Sequence, residues 1–183
     1  MEALLRQIAS TWQEEAYRAI LDVARISPND VLYGSAFWLF YCDYSQILTP
    51  ALAVNSETFV TTHEDNDAVW STRWVPAEWK WPVLDSACDP LKPLYALLTR
   101  AMQSASRAEW NNLITTHDQM ISTVARDLTS QIRRRSTDVN LNVSSYFVVA
   151  AIDDRRDMVD YNALVRSSVS PDQLDSLEGL IRA

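Results

Sequence analysis

Val31–Cys42 reads VLYGSAFWLFYC. Apolar, aromatic and β-branched side chains fill both of its parities, so neither face suits water. Such a stretch predicts a strand covered on both sides, at the centre of a sheet. Asp43-Tyr44-Ser45 then reads as a turn, and Gln46–Val54 as a second strand pairing in a hairpin, with Pro50 favouring an edge or a bulge.

Working outward, residues 3–25 place Leu4, Leu5, Ile8, Trp12, Ala16, Ala19, Ile20 and Val23 on one helical stripe. Asn55-Ser56-Glu57 offers a cap for a short helix through Phe59 to His63. Ala68–Trp74 alternates as a third strand. Asp89-Pro90 predicts an N-cap and a first-turn proline for a helix carrying Leu91, Leu94, Tyr95 and Leu98. Ser106-Arg107-Ala108-Glu109 is a capping box before the longest helix, which ends in Arg133-Arg134-Arg135. Val143–Ile152 is a fourth strand. A helix follows from about Arg155 to Val165, and Ser170-Pro171-Asp172-Gln173 opens a last short one. The expectation is one α+β domain over residues 1–183, with an antiparallel sheet of about four strands packed against helices.

Composition narrows the function. The chain has 183 residues, 48% of them hydrophobic, and a formal charge of −8. That charge repels phosphate backbones and argues against nucleic acid. With only two glycines, neither of the common glycine-rich phosphate loops can be built. No apolar run approaches the ~18 residues of a membrane span. The start, MEALLRQIASTW, lacks the basic region of a secretory signal, so a cytoplasmic location is expected. Cys42 and Cys88 read as buried small hydrophobes.

Catalytic signatures are missing. His63, His117 and the two cysteines show no metal-ligand spacing, so neither a metal nor another cofactor is expected. His117 falls on the apolar stripe of the long helix and reads as a packed histidine. Asp153 and Asp154, followed by Asp157 and Asp160, read first as caps at a strand-to-helix junction. Catalysis by such carboxylates would need an apolar pocket, and a small hydrolase or transferase of that kind is the alternative function. The densest aromatic region is Trp70, Trp74, Trp79 and Trp81, the last three within the stiff segment WVPAEWKWP. Those tryptophans suit either core anchoring or a recognition surface. Trp79 is expected to be buried, with Glu78 holding its loop through backbone or Arg73 hydrogen bonds.

LYGSAFWLFY, the Asn55-Ser56-Glu57 step and RWVPAEWKW together resemble an uncharacterised bacterial domain family over about residues 1–165. Its recurrent positions match Tyr33, Asn55, Glu57, Trp74, Glu78 and Trp79. This chain departs in carrying Ser56 where Thr is commoner, and in Lys80-Trp81 after the E-W step. The family resembles domains found beside bacterial polymorphic toxins, which implies a toxin-immunity type of protein binding. The implied partner is a basic toxin. Candidate contacts are Asp65 and Asp67 in an acidic loop, Trp74, Glu78 and Trp79, and Asp153, Asp154 and Asp157, with both acidic groups expected to face solvent. Homodimerisation through an apolar helix face is the competing reading.

Overall fold

The computed structural model describes residues 1–40, 45–63, 75–136, 141–153, 161–171 and 173. Helix α1 spans Glu2–Ile26 and buries the predicted stripe, including Ile8, Trp12, Ala16 and Ile20. Its outer side carries the ion pairs Arg6–Glu2, Arg18–Glu15 and Arg25–Asp22, each three or four positions apart. Such exposed pairs contribute little to stability but neutralise that face.

Strand β1, Leu32–Leu39, is buried along nearly its whole length. It occupies the centre of a three-stranded sheet of order β2-β1-β3, where β2 is Ala51–Ser56 and β3 is Val143–Asp153. The doubly covered reading holds for Leu32–Leu39, while Tyr41 and Cys42 lie outside the described residues. β2 pairs antiparallel with β1, as a hairpin requires. It starts later than Gln46, however. Pro50 has no N–H to give a ladder. The backbone at Ile47 turns to Thr99 instead, its N–H bonded to Thr99 Oγ1 at 3.0 Å.

The expected all-antiparallel, four-stranded sheet is corrected. Among the described residues there are three strands, and β3 runs parallel to β1. A parallel neighbour needs a long crossover connection. The chain supplies one through α2 (Glu57–His63), a 3₁₀ turn at Pro76–Glu78, α3 (Asp85–Cys88), α4 (Lys92–Ala101) and the long α5 (Arg107–Arg135). The third strand expected at Ala68–Trp74 lies outside the described residues. Helix α6, Tyr161–Ser168, follows β3 and runs past the Val165 limit expected for it.

Side-chain capping explains two of the helix starts. Ser56 Oγ accepts from Phe59 N at the head of α2. Both bonds of the Ser106–Glu109 capping box are formed. Ahead of α4 the expected start shifts by two residues, from an Asp89 cap to Leu91. Asp85–Cys88 makes its own single turn, Leu91 N bonds back to Cys88 O, and Pro93 rather than Pro90 takes the first turn of α4.

The sheet is the middle of three layers. Phe37, Leu39, Leu52, Val54, Phe147 and Val149 face the large core shared with α1, α4 and α5. The other face is lined by small residues, Ala36, Ala53 and Ala150, with Val148 and Ile152. Val165 and Val169 from the α6 region, together with Trp79, fill the space that these alanines leave.

Both outer edges of the sheet are closed, by different means. On β3, Arg133 Nε donates to Phe147 O at 2.8 Å, Val149 N donates to Thr129 Oγ1 at 2.8 Å, and Ala151 N donates to Ser168 Oγ at 2.9 Å. Each of these hydroxyls also donates back to its own helix, Thr129 to Ala125 O and Ser168 to Val165 O. One hydroxyl thus serves as donor and acceptor at once. On β2 the partner is backbone. Val54 and Trp81 exchange both N–H···O bonds, at 2.9 and 3.2 Å, and Leu84 N donates to Leu52 O. Residues 75–84 form a strap along this edge.

Candidate functional site

The motif positions read from the sequence meet where the strap crosses the end of β2. The pairing register of β1 shifts between Leu32 and Gly34, leaving Tyr33 as the extra residue. The Tyr33 hydroxyl accepts from Asn55 Nδ2 at 3.0 Å. Asn55 Oδ1 in turn accepts from Ser56 N and, at 3.4 Å, from Lys80 N on the strap. The Tyr33 and Trp79 rings meet edge to face at 6.2 Å. All three side chains are buried, Asn55 completely and Trp79 to 3% exposure. Tyr33, Asn55 and Trp79 therefore fasten the strap to the sheet. Trp79 is a core anchor, as expected from the prolines around it, and its side chain is closed to a partner.

Around this knot lie groups that can face outward. Glu57, the first residue of α2, accepts a hydrogen bond from the Tyr146 hydroxyl, and Tyr146 is 43% exposed. Glu78 is exposed. Its backbone N–H closes the 3₁₀ turn onto Val75 O, while its carboxylate makes no bond of the expected kind among the described residues, and Arg73 lies outside them. Lys80 Nζ reaches Asp30 Oδ2 at 2.5 Å and sits 4.7 Å above the Trp81 ring. The Asp30–Lys80 pair went unseen in the sequence. Its partners are fifty positions apart, and only the adjacency of Lys80 and Trp81 hinted at it.

The acidic sets fare differently. Asp153 is 2% exposed, so the solvent-facing role expected for it is corrected. The strand runs one residue further than Ile152, and Asp153 pairs with Leu39 inside the sheet. Asp65, Asp67, Trp74, Asp154 and Asp157 lie outside the described residues.

Three interior titratable groups, Tyr95, His117 and Cys88, are committed to packing. His117 is buried on α5 as a core histidine, its Nε2 2.7 Å from the Tyr95 hydroxyl. Trp12 Nε1 donates to that same hydroxyl at 3.1 Å. The Tyr95 oxygen thus accepts from the indole, and either its phenol proton or the His117 Nε2–H makes the second bond, according to the histidine tautomer. Burial pushes the Tyr95 phenol far above its ordinary range, which keeps the phenol proton in place. Burial also raises the Cys88 thiol, which points at Pro50 O at 3.5 Å. A neutral buried thiol of this kind is inert as a nucleophile.

Two of the open grooves lined by described residues bear on the question. One of about 530 Å³ lies between α1 and α5, lined by Ala9, Gln13, Met120, Asp127 and Arg134, and is bridged by Gln13 Nε2 donating to Gln131 Oε1. The other, about 770 Å³, has Leu5, Met102 and Leu113 with Glu2 and Glu109. Glu2 is paired with Arg6. Glu109 accepts from the Ser106 side chain and backbone, which holds its carboxyl below the usual range and ties it to the helix cap. Among the described residues no group of three His, Cys, Asp or Glu could hold a metal ion. No helix among them is long and apolar enough to cross a membrane.

Compared with known proteins, the chain matches no family model, no curated protein and no solved structure.

Proposed function

We propose that this chain is a non-catalytic protein-binding module of the toxin-immunity type, whose partner is a basic protein. The observation that carries the reading is the strap. Its aromatic anchor is sunk into the sheet while the residues on either side stand in solvent, an arrangement that presents a fixed surface at small entropic cost. The charge of −8 supports a cationic partner, because opposite fields accelerate encounter. The resemblance to domains encoded beside polymorphic toxins supports the same class. Among the described residues, His117 and Cys88 are spent on hydrogen bonds within the core, and Glu109 on a helix cap.

The test is a pull-down of the purified chain against the protein encoded by the neighbouring gene, followed by association rates at several salt concentrations. Binding whose rate falls as ionic strength passes ~0.1 M supports the reading, since the screening length there is about 10 Å. A rate indifferent to salt removes the electrostatic part. Tighter self-association with added salt points to an apolar homodimer instead.

A further inference from the structure

We propose that the outward side of the strap, Trp81–Pro82–Val83 flanked by Glu78 and Asp85, is the docking patch for that basic partner; this deepens the protein-binding reading and rests on it. Val83 is 47% exposed, one of the few large apolar side chains left in water. Pro82 beside it is exposed, and Trp81 is half-buried, packed in part against the main core. Exposed apolar residues that are adjacent and rimmed by charge mark interaction sites more often than scattered ones do.

The charge of the patch names the occupant. Glu78 and Asp85 are exposed, and neither has an ion pair among the described residues. The strap's own cation, Lys80, is held by Asp30. Lys80 also lies over the Trp81 ring, and with its charge matched by Asp30 the two carboxylates of Glu78 and Asp85 leave the patch net acidic. The contrast is the outer side of α1, where Glu2, Glu15 and Asp22 each have an arginine within 2.9 Å. The complementary surface is an apolar seat ringed by arginine or lysine side chains.

The same structure sets the mode of contact. Strand addition needs an open sheet edge. The β2 edge is already bonded to the strap through Trp81 and Leu84, and the β3 edge is bonded to Arg133, Thr129 and Ser168. Recognition therefore runs through side chains displayed on a stiff backbone. Pro76 and Pro82, the Trp79 anchor and three backbone bonds hold that backbone before the partner arrives.

The experiment measures binding kinetics of the full chain with the protein encoded by the neighbouring gene. Three variants are compared with wild type: Glu78→Lys with Asp85→Lys, Val83→Asp, and a control, Glu15→Lys with Asp22→Lys, that changes net charge equally. Circular dichroism and melting of each variant confirm an intact fold. The patch reversal is expected to slow association about 10-fold at low salt, with the difference fading as salt rises. The control should slow it far less. Val83→Asp should leave association nearly unchanged and speed dissociation about 10-fold. If wild type binds and both patch variants bind like it, the patch is overturned while the protein-binding reading stands. If wild type does not bind, the reading falls and the patch falls with it.

Discussion

The two outer edges of the sheet solve one problem with opposite materials. β3 is closed by single atoms, one guanidinium and two hydroxyls, projected from helices α5 and α6. β2 is closed by irregular backbone, the strap of residues 75–84, which has no regular structure beyond one 3₁₀ turn. The helical closure inherits its rigidity from long elements packed on the sheet. The strap inherits its rigidity from one large side chain, Trp79, and from Asn55 beneath it. Losing one atom should thus weaken the β3 edge locally, whereas losing one anchor should release the β2 edge along its length.

Trp79→Ala tests the second half of that statement and carries the largest expected effect, about 3–5 kcal/mol in chemical denaturation, as for aromatic truncations in cores. Hydrogen exchange should show where the loss falls. The amides of Trp81 and Leu84 should lose protection first, while those of Val149 and Ala151 keep it. Equal loss at both edges would mean that the strap is not an independent unit.

Thr129→Val tests the β3 edge. The substitution keeps shape and removes the acceptor of the Val149 N–H, which is buried. An orphaned buried donor costs about 1–3 kcal/mol. A neutral result would show that another acceptor takes over.

Lys80→Met should cost about 1–3 kcal/mol, because Asp30 is 7% exposed and is left as a buried carboxylate without its cation. A larger loss would promote the ion pair from accessory to anchor and erase the distinction between a strap held by one aromatic and a strap held by several contacts.

The smallest effect concerns pH. Glu109 sits in the cap of α5, the helix that carries Thr129 and Arg133. Its folded-state carboxyl lies below the ordinary value, so its stabilisation is present above that value and is lost as pH falls through the lowered one. Glu109 is exposed, and the effect is correspondingly slight. Acid titration of wild type against Glu109→Gln should show a shallow loss of stability that the variant lacks.

The legible parts of the fold were those written in local chemistry. VLYGSAFWLFYC announced a central strand because apolar side chains on both parities admit one environment only. Ser106 and Glu109 announced a helix start because both bonds of the capping box are made within four residues. Strand direction was not legible in the same way. Whether β3 runs with or against β1 depends on where a crossover of several helices delivers the chain, and no residue in Val143–Asp153 encodes that. The candidate site shows the same split. Burial of Trp79 followed from its prolines, whereas the pairing of Asp30 with Lys80 joins distant positions. Asp153 looked like a cap because it follows an apolar run, yet β3 ends one residue later and takes it inside.

The chain of contacts Trp12–Tyr95–His117 has a consequence for how many ways the helices can assemble. Its three members come from α1, α4 and α5, one from each. Apolar stripes alone are forgiving, since a helix slid by a turn, about 5.4 Å, meets a similar greasy surface. Hydrogen bonds of 3.1 and 2.7 Å close in one registry only. The polar chain therefore acts as an index pin, selecting one arrangement from a family of near-equal packings. Tyr95→Phe should leave the secondary structure in place while the aromatic NMR resonances broaden from exchange among packings; sharp, singular resonances would show that the apolar stripes set the registry unaided.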